Sequence, residues 1–153
     1  MVSKDLKTSQ KKSAKTSVVA SKLDCPQCKD GPEYYRMLFN QYKFDVDQAR
    51  EIVSDGRVPV ELDNQDVQHS LNWSHIHRPH LAHVNTQFPG IIAHYWYPGT
   101  DGQRLHGHVL IDGHHRAAKV FESNEPFYAY VLTEEESRTV TMRSPMKAVE
   151  SVG

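Results

Sequence analysis

Between His108 and Ala118 the chain runs His-Val-Leu-Ile-Asp-Gly-His-His-Arg-Ala-Ala. An apolar, strand-like run leads into Asp112 and Gly113, and a helical pattern starts at His114. The first turn of a helix leaves backbone N–H groups unpaired, and the helix dipole favours negative charge beside them. Phosphate groups bind at such places. A polyphosphate also needs close backbone approach, which a residue without a side chain at Gly113 permits. Arg116 supplies a bidentate donor. His114 and His115 donate hydrogen bonds and take up protons near neutrality. Asp112 can cap the helix, help to hold a magnesium ion, or orient a histidine, and capping is the commonest role for Asp at this place. Three cationic or protonatable groups in one first turn oppose the dipole, and an anion relieves that conflict. The expectation is a nucleotide-phosphate site made of Gly113, His114, His115 and Arg116, with His108 on the adjoining strand. His114, His115 and Asp112 are the catalytic candidates, as groups that neutralise charge or move a proton. Mg2+ is expected to arrive with the nucleotide. The plainer alternative is a strand-to-helix turn with solvated polar residues.

All ten histidines fall between His69 and His115. His75, His77, His80 and His83 have spacings that suit metal ligation. His106 and His108 are two apart on a strand pattern and therefore share a face, and His94 can meet them across a hairpin. Such a trio suits a metal or a phosphate. The two cysteines, Cys25 and Cys28, stand as Cys-Pro-Gln-Cys. They offer half of a zinc site, a redox pair, or two plain thiols. A structural zinc site needs four ligands, and no second Cys-x-x-Cys occurs.

Elements must carry these groups. Tyr35, Leu38, Phe39 and Tyr42 recur at helical spacing, so a helix is expected over 33–42, entered from Pro32. A second helix is expected over 46–55, capped by Asp45 and lined by Val46, Ala49, Ile52 and Val53. Val58–Leu62 reads as an edge strand because Pro59 lacks a ladder donor. Asp63 starts a short helix to about Leu71. Residues 72–90 read as a long histidine-bearing loop. Ile91–Tyr97 and Arg104–Ile111 form a hairpin about the Pro98–Gly102 turn. Ile91, Ala93, Tyr95 and Tyr97 face one way, and Ile92, His94 and Trp96 the other. A helix follows Gly113, Asn124–Pro126 breaks it, and Phe127–Leu132 is the next strand. Thr133 and Glu136 form a capping box for a last helix to about Val140. Residues 141–153 read as frayed. The unit over 105–132 has the length of a parallel crossover. The fold class is α+β, a small mixed β-sheet with flanking helices.

The chain has 153 residues, 38% of them hydrophobic and 24% charged, as in ordinary globular domains. Its net charge of −1 hides an asymmetry. Residues 1–22 hold six Lys and one Asp with seven Ser or Thr, leaving 12 basic and 18 acidic residues in 23–153. The basic tail is expected to be disordered. It is either a solubilising arm or a salt-dependent attachment to nucleic acid. No apolar signal core or membrane span is visible, which suggests a reducing cytoplasm. The expected organisation is a disordered tail over 1–22, a helical N-terminal extension with the Cys-x-x-Cys turn over 23–57, one domain over 58–140, and a frayed end.

The run Leu110-Ile111-Asp112-Gly113-His114-His115-Arg116-Ala117-Ala118, then a helix and the strand Pro126–Val131, resembles the ParB/sulfiredoxin-like superfamily. Pro89-Gly90-Ile91-Ile92 in the preceding hairpin is similar too, so the likeness covers about 58–140. It implies a sheet with a Gly-x-x-Arg phosphate turn at Gly113–Arg116, binding ATP or CTP, with nucleotide hydrolysis, phosphoryl transfer or nuclease action among its members. Sulfiredoxin-like enzymes carry cysteine after the motif glycine, where this chain has His114. Chromosome-partition members continue into a helix-turn-helix, which this chain does not reach. The small kinases of the group have a similar Asp-Gly-His-x-Arg turn, and Glu61 and Asp63 are candidate bases only because they precede the sheet. The expected function is nucleotide-phosphate binding with hydrolysis or transfer. The alternatives are a non-catalytic DNA- or partner-binding module and a metalloprotein using Cys25, Cys28 and loop histidines.

Overall fold

A computed structural model describes residues 31–72, Ile76 and residues 78–146. The basic tail, Cys25, Cys28, His75, His77 and the stretch 147–153 lie outside the described residues.

The first element departs from expectation. Residues 34–45 form a hairpin, β1 (Tyr34–Met37) and β2 (Tyr42–Asp45), rather than a helix. Leu38, Phe39 and Asn40 at its tip adopt φ of 52, 55 and 67°, which no right-handed helix contains. The aromatic residues also alternate at period two. Tyr42 and Phe44 are buried and Lys43 between them is not. Aromatic side chains favour a pleated, half-buried surface, and that period prevails over the helical one.

The next elements follow the sequence pattern. Helix α1 (Val46–Val53) starts at Asp45, whose carboxylate accepts the Gln48 N–H at 3.1 Å. It buries Val46, Ala49 and Val53. Strand β3 (Val60–Leu62) is an edge strand. Helix α2 (Asn64–Asn72) starts beside Asp63, which accepts the Asp66 N–H at 2.9 Å. Arg78–His83 form a short 3-10 helix within the expected loop.

Strands β4 (Gly90–Pro98) and β5 (Arg104–Asp112) pair antiparallel, with His94 opposite His108 and Trp96 opposite His106. Helix α3 (His114–Glu122), strand β6 (Phe127–Val131) and helix α4 (Glu134–Val140) follow. The Thr133–Glu136 capping box is present. Residues 141–143 are not frayed: strand β7 (Thr141–Arg143) pairs with β2.

The four-stranded sheet has the order β3-β6-β4-β5. It is mixed, because β6 runs parallel to β4 while β3 and β5 lie antiparallel to their neighbours. The chain from β5 through α3 is therefore not a parallel crossover. It carries the chain from β5 past β4 to β6 on the far side of β4, antiparallel in sense to β5. Gly90-Ile91-Ile92-Ala93 is apolar enough to be flanked on both sides, as interior strands are. Arg104, His106 and His108 suit an edge.

One face of the sheet packs Ile91, Ala93 and Ile111 against Tyr42, Phe44, Ala49, Val53, Leu132 and Val140. The other packs Leu110, Phe127 and Ala129 against Val67, Ala117 and Val120. The region expected to be an extension thus shares its core with the sheet. Arg57 ties the end of α1 to α4 through two hydrogen bonds to Glu136, at 2.8 and 2.7 Å. The result is a mixed α+β fold. Among the described residues no helix is long and apolar enough to cross a membrane.

Candidate functional site

A cleft of about 940 Å³ opens between the β1–β2 hairpin, the end of β5 and the first turn of α3. Gly113, His114, His115 and Arg116 all line it, and so does His108. The order strand, glycine bend, helix holds as read from the sequence.

Gly113 is the N-cap of α3 at φ 101° and provides no side-chain cap. Asp112 therefore does not cap the helix. A second constraint also requires glycine here. A Cβ at Gly113 would come within 2.9 Å of the Gly90 Cα and 3.1 Å of the Arg116 guanidinium. The missing side chain makes room for neighbouring protein as well as for the bend.

Asp112 is 7% exposed and serves two guanidiniums. Arg50 donates Nε to Oδ2 at 3.0 Å and Nη2 to Oδ1 at 2.9 Å. Arg116 reaches Oδ2 at 3.1 Å. Arg50 also meets Glu33 at 2.8 Å. Its hydrogen bonds to Asp112 raise its pKa further above the usual arginine range. The Arg116 Nε is buried with no hydrogen-bond partner.

His114 stacks on Tyr35, with ring centroids 4.9 Å apart and planes 17° from parallel. Burial pushes its pKa down to about 4, against the opposing pull of Asp112. It is a neutral imidazole at pH 7 and supplies hydrogen bonds rather than charge. His115 meets His80 edge-on at 4.9 Å. The conflict between the α3 dipole and its first-turn cations is thus eased within the chain: His114 is uncharged, and Arg116 is paired with Asp112. Arg36, Arg50 and Arg116 line the cleft against Glu33 and Asp112, so a positive excess remains.

Several sequence assignments change. Asp112 is a clamp for arginines and not a free base. Glu61 is exposed on β3 and Asp63 caps α2, and neither lines the cleft. The carboxylates that do line it, Glu33 and Asp112, are both committed to Arg50. They do not fit a dedicated magnesium site, since Mg2+ needs oxygen ligands in near-ideal octahedral geometry. Of the loop histidines, His80 lies against His115, and His83 ends the 3-10 helix.

The cross-strand trio does form. His94, His106 and His108 each offer a ring nitrogen within 4.8 Å of the others, and together they can hold a metal ion. His94 Nδ1 and His106 Nε2 are 2.6 Å apart. Ser137 fixes the strand behind them, its hydroxyl accepting the His94 N–H at 2.9 Å and donating to the Thr133 carbonyl at 2.8 Å. Burial lowers the His94 pKa, and the neighbouring His108 and His106 add to this.

Sequence gives no role in the site to Arg50 or Tyr35. Arg50 lies on α1 with no local signal of a partner 62 residues away. Tyr35 fits a helical stripe and a period-two strand pattern alike, and only the strand brings it to His114.

No protein-family profile, curated protein or solved structure matches this chain.

Proposed function

We propose that the cleft binds a phosphorylated ligand, with a nucleotide such as ATP or CTP as the best fit. One observation carries this proposal. The first turn of α3, with no side-chain cap, and the Arg116 side chain line one open cleft of ligand size. The first-turn N–H groups of His114, His115 and Arg116 would receive phosphate oxygens. Arg116 would turn part of its fork from Asp112 to the phosphate, and Asp112 would keep Arg50. Neutral His114 donates or accepts a hydrogen bond without adding charge. Phe39 and Phe88 line the cleft and are exposed, offering ring faces to a base. Among the described residues both lining carboxylates, Glu33 and Asp112, are paired with Arg50, which favours binding over turnover. The resemblance of Gly113–Arg116 to the ParB/sulfiredoxin-like phosphate turn agrees with this ligand class.

Calorimetric titration of the full chain with ATP, CTP, pyrophosphate and adenosine, with and without Mg2+, tests it. Phosphorylated ligands should bind, adenosine should not, and Arg116→Ala should weaken binding at least tenfold. Absence of binding by every phosphorylated ligand at millimolar concentration refutes it. Release of phosphate in the same samples measures whether bound nucleotide turns over.

A further inference from the structure

We propose that His94, His106 and His108 form a binding site for a late divalent transition metal ion, Zn2+ first among them, with the fourth coordination position open to solvent. This goes beyond the phosphate cleft and does not depend on it.

The trio comes from strand register. His94 is directly opposite His108, and His106 lies two residues along the same strand, so all three rings project from one face of the β4–β5 ribbon. Their ring centroids are 4.8, 4.4 and 5.0 Å apart. A tetrahedral zinc with nitrogens at 2.0–2.1 Å places its donors about 3.3 Å from one another. The donor nitrogens already lie within 4.8 Å, and one pair is at 2.6 Å. Rotations about χ1 and χ2 on a fixed backbone close the difference. The His94 and His106 nitrogens face each other at hydrogen-bond distance, and a metal ion would take the place of that contact.

The donor set decides the class of ion. Three neutral imidazoles suit Zn2+, Cu2+, Ni2+ and Co2+, and not Mg2+ or Ca2+, which require oxygen. Three protein ligands with an open fourth position characterise zinc sites that bind a further molecule. His106 and His108 are exposed, which leaves that position accessible. The support for His94 resembles that of a metal ligand. The Leu132 backbone and Glu134 both lie close enough to act on the charge of its ring. Outer partners of this kind orient ligating imidazoles. Trp96 closes the inner side, with its ring centroid 5.4 Å from that of His106.

The test is zinc titration of the full, tag-free chain in competition with a chromophoric chelator, with Co2+ absorption as a second readout. The wild type should bind one Zn2+ at the trio, and Co2+ should give a tetrahedral d–d spectrum. His106→Ala and His108→Ala each replace an exposed side chain, so both should fold. Each should weaken that binding at least about a hundredfold, beyond the 10–100-fold typical of losing an outer partner. A Cys25→Ser, Cys28→Ser double variant should keep the trio's affinity. Wild-type affinity in either His variant overturns the proposal. So does absence of saturable binding, or loss of the site in the cysteine variant.

Discussion

Asp112 and Arg50, 62 residues apart in sequence, are joined by two hydrogen bonds of 3.0 and 2.9 Å. This pair fixes α1 to the end of β5, where the cleft begins. Asp112→Asn would leave Arg50 and Arg116 facing a neutral amide. A loss of about 1–3 kcal/mol in unfolding free energy is expected, as for charged hydrogen bonds left unmade. Arg116 would at the same time lose its competitor for an anion, so pyrophosphate affinity should not fall. Chemical denaturation and pyrophosphate titration of the same variant check both points, and a loss of pyrophosphate binding in a folded variant contradicts the second.

His114 gives the molecule an acid-sensitive stability. Its native pKa of about 4 lies below the ordinary histidine value of 6.5. Between those values the unfolded chain takes up a proton that the native one refuses. The stabilising contribution is therefore full above about pH 6.5 and falls as pH drops toward 4. His114→Phe keeps a ring against Tyr35 and removes the proton site. Urea unfolding at pH 7, 5.5 and 4.5 should show a smaller slope with pH in the variant than in the wild type. Equal slopes would remove His114 as the cause.

Glu136 acts over a lower range. Hydrogen bonds from Arg57 hold its pKa at about 2, against an ordinary 4.5. Its contribution is present above about pH 4.5 and is lost as pH falls through 2. Glu136→Gln retains a residue that suits the capping box and deletes the charge. The pair is partly exposed, so a cost of about 1 kcal/mol at pH 7 is expected. That cost should shrink as the wild type is titrated toward pH 2, which thermal melts across that range will read.

Gly113→Ala tests the bend. A side chain there must adopt φ 101° and meet Gly90 at 2.9 Å. Backbone strain of this type costs about 1–3 kcal/mol, and the contact adds to it. Gly90→Ala should be comparably harmful, since its Cβ would lie 2.7 Å from both the Asp112 carbonyl and the Phe127 ring. If either variant melts like the wild type, the close packing of the two glycines is not a constraint.

Local patterns in the sequence were sufficient for much of this molecule. Asp45, Asp63 and the Thr133–Glu136 pair mark helix starts because a cap acts within three residues of itself. The β4–β5 hairpin and its histidine face follow from a turn signal and side-chain alternation, which are equally local. The bend at Gly113 and the helix after it were legible for the same reason. Tertiary structure decided the rest. Residues 34–45 satisfy two periods at once, and only packing against Ile91 and Val140 selects the strands. Thr141–Arg143 carry no strong signal and become a strand because β2 offers an edge. Asp112 looked like a cap and became an arginine clamp, because its partner comes from a distant helix. His114 looked cationic and is neutral, because Tyr35 and the surrounding core exclude water from it. Chain-local geometry acts over a few residues, whereas charge state and ion pairing depend on whatever the fold brings near.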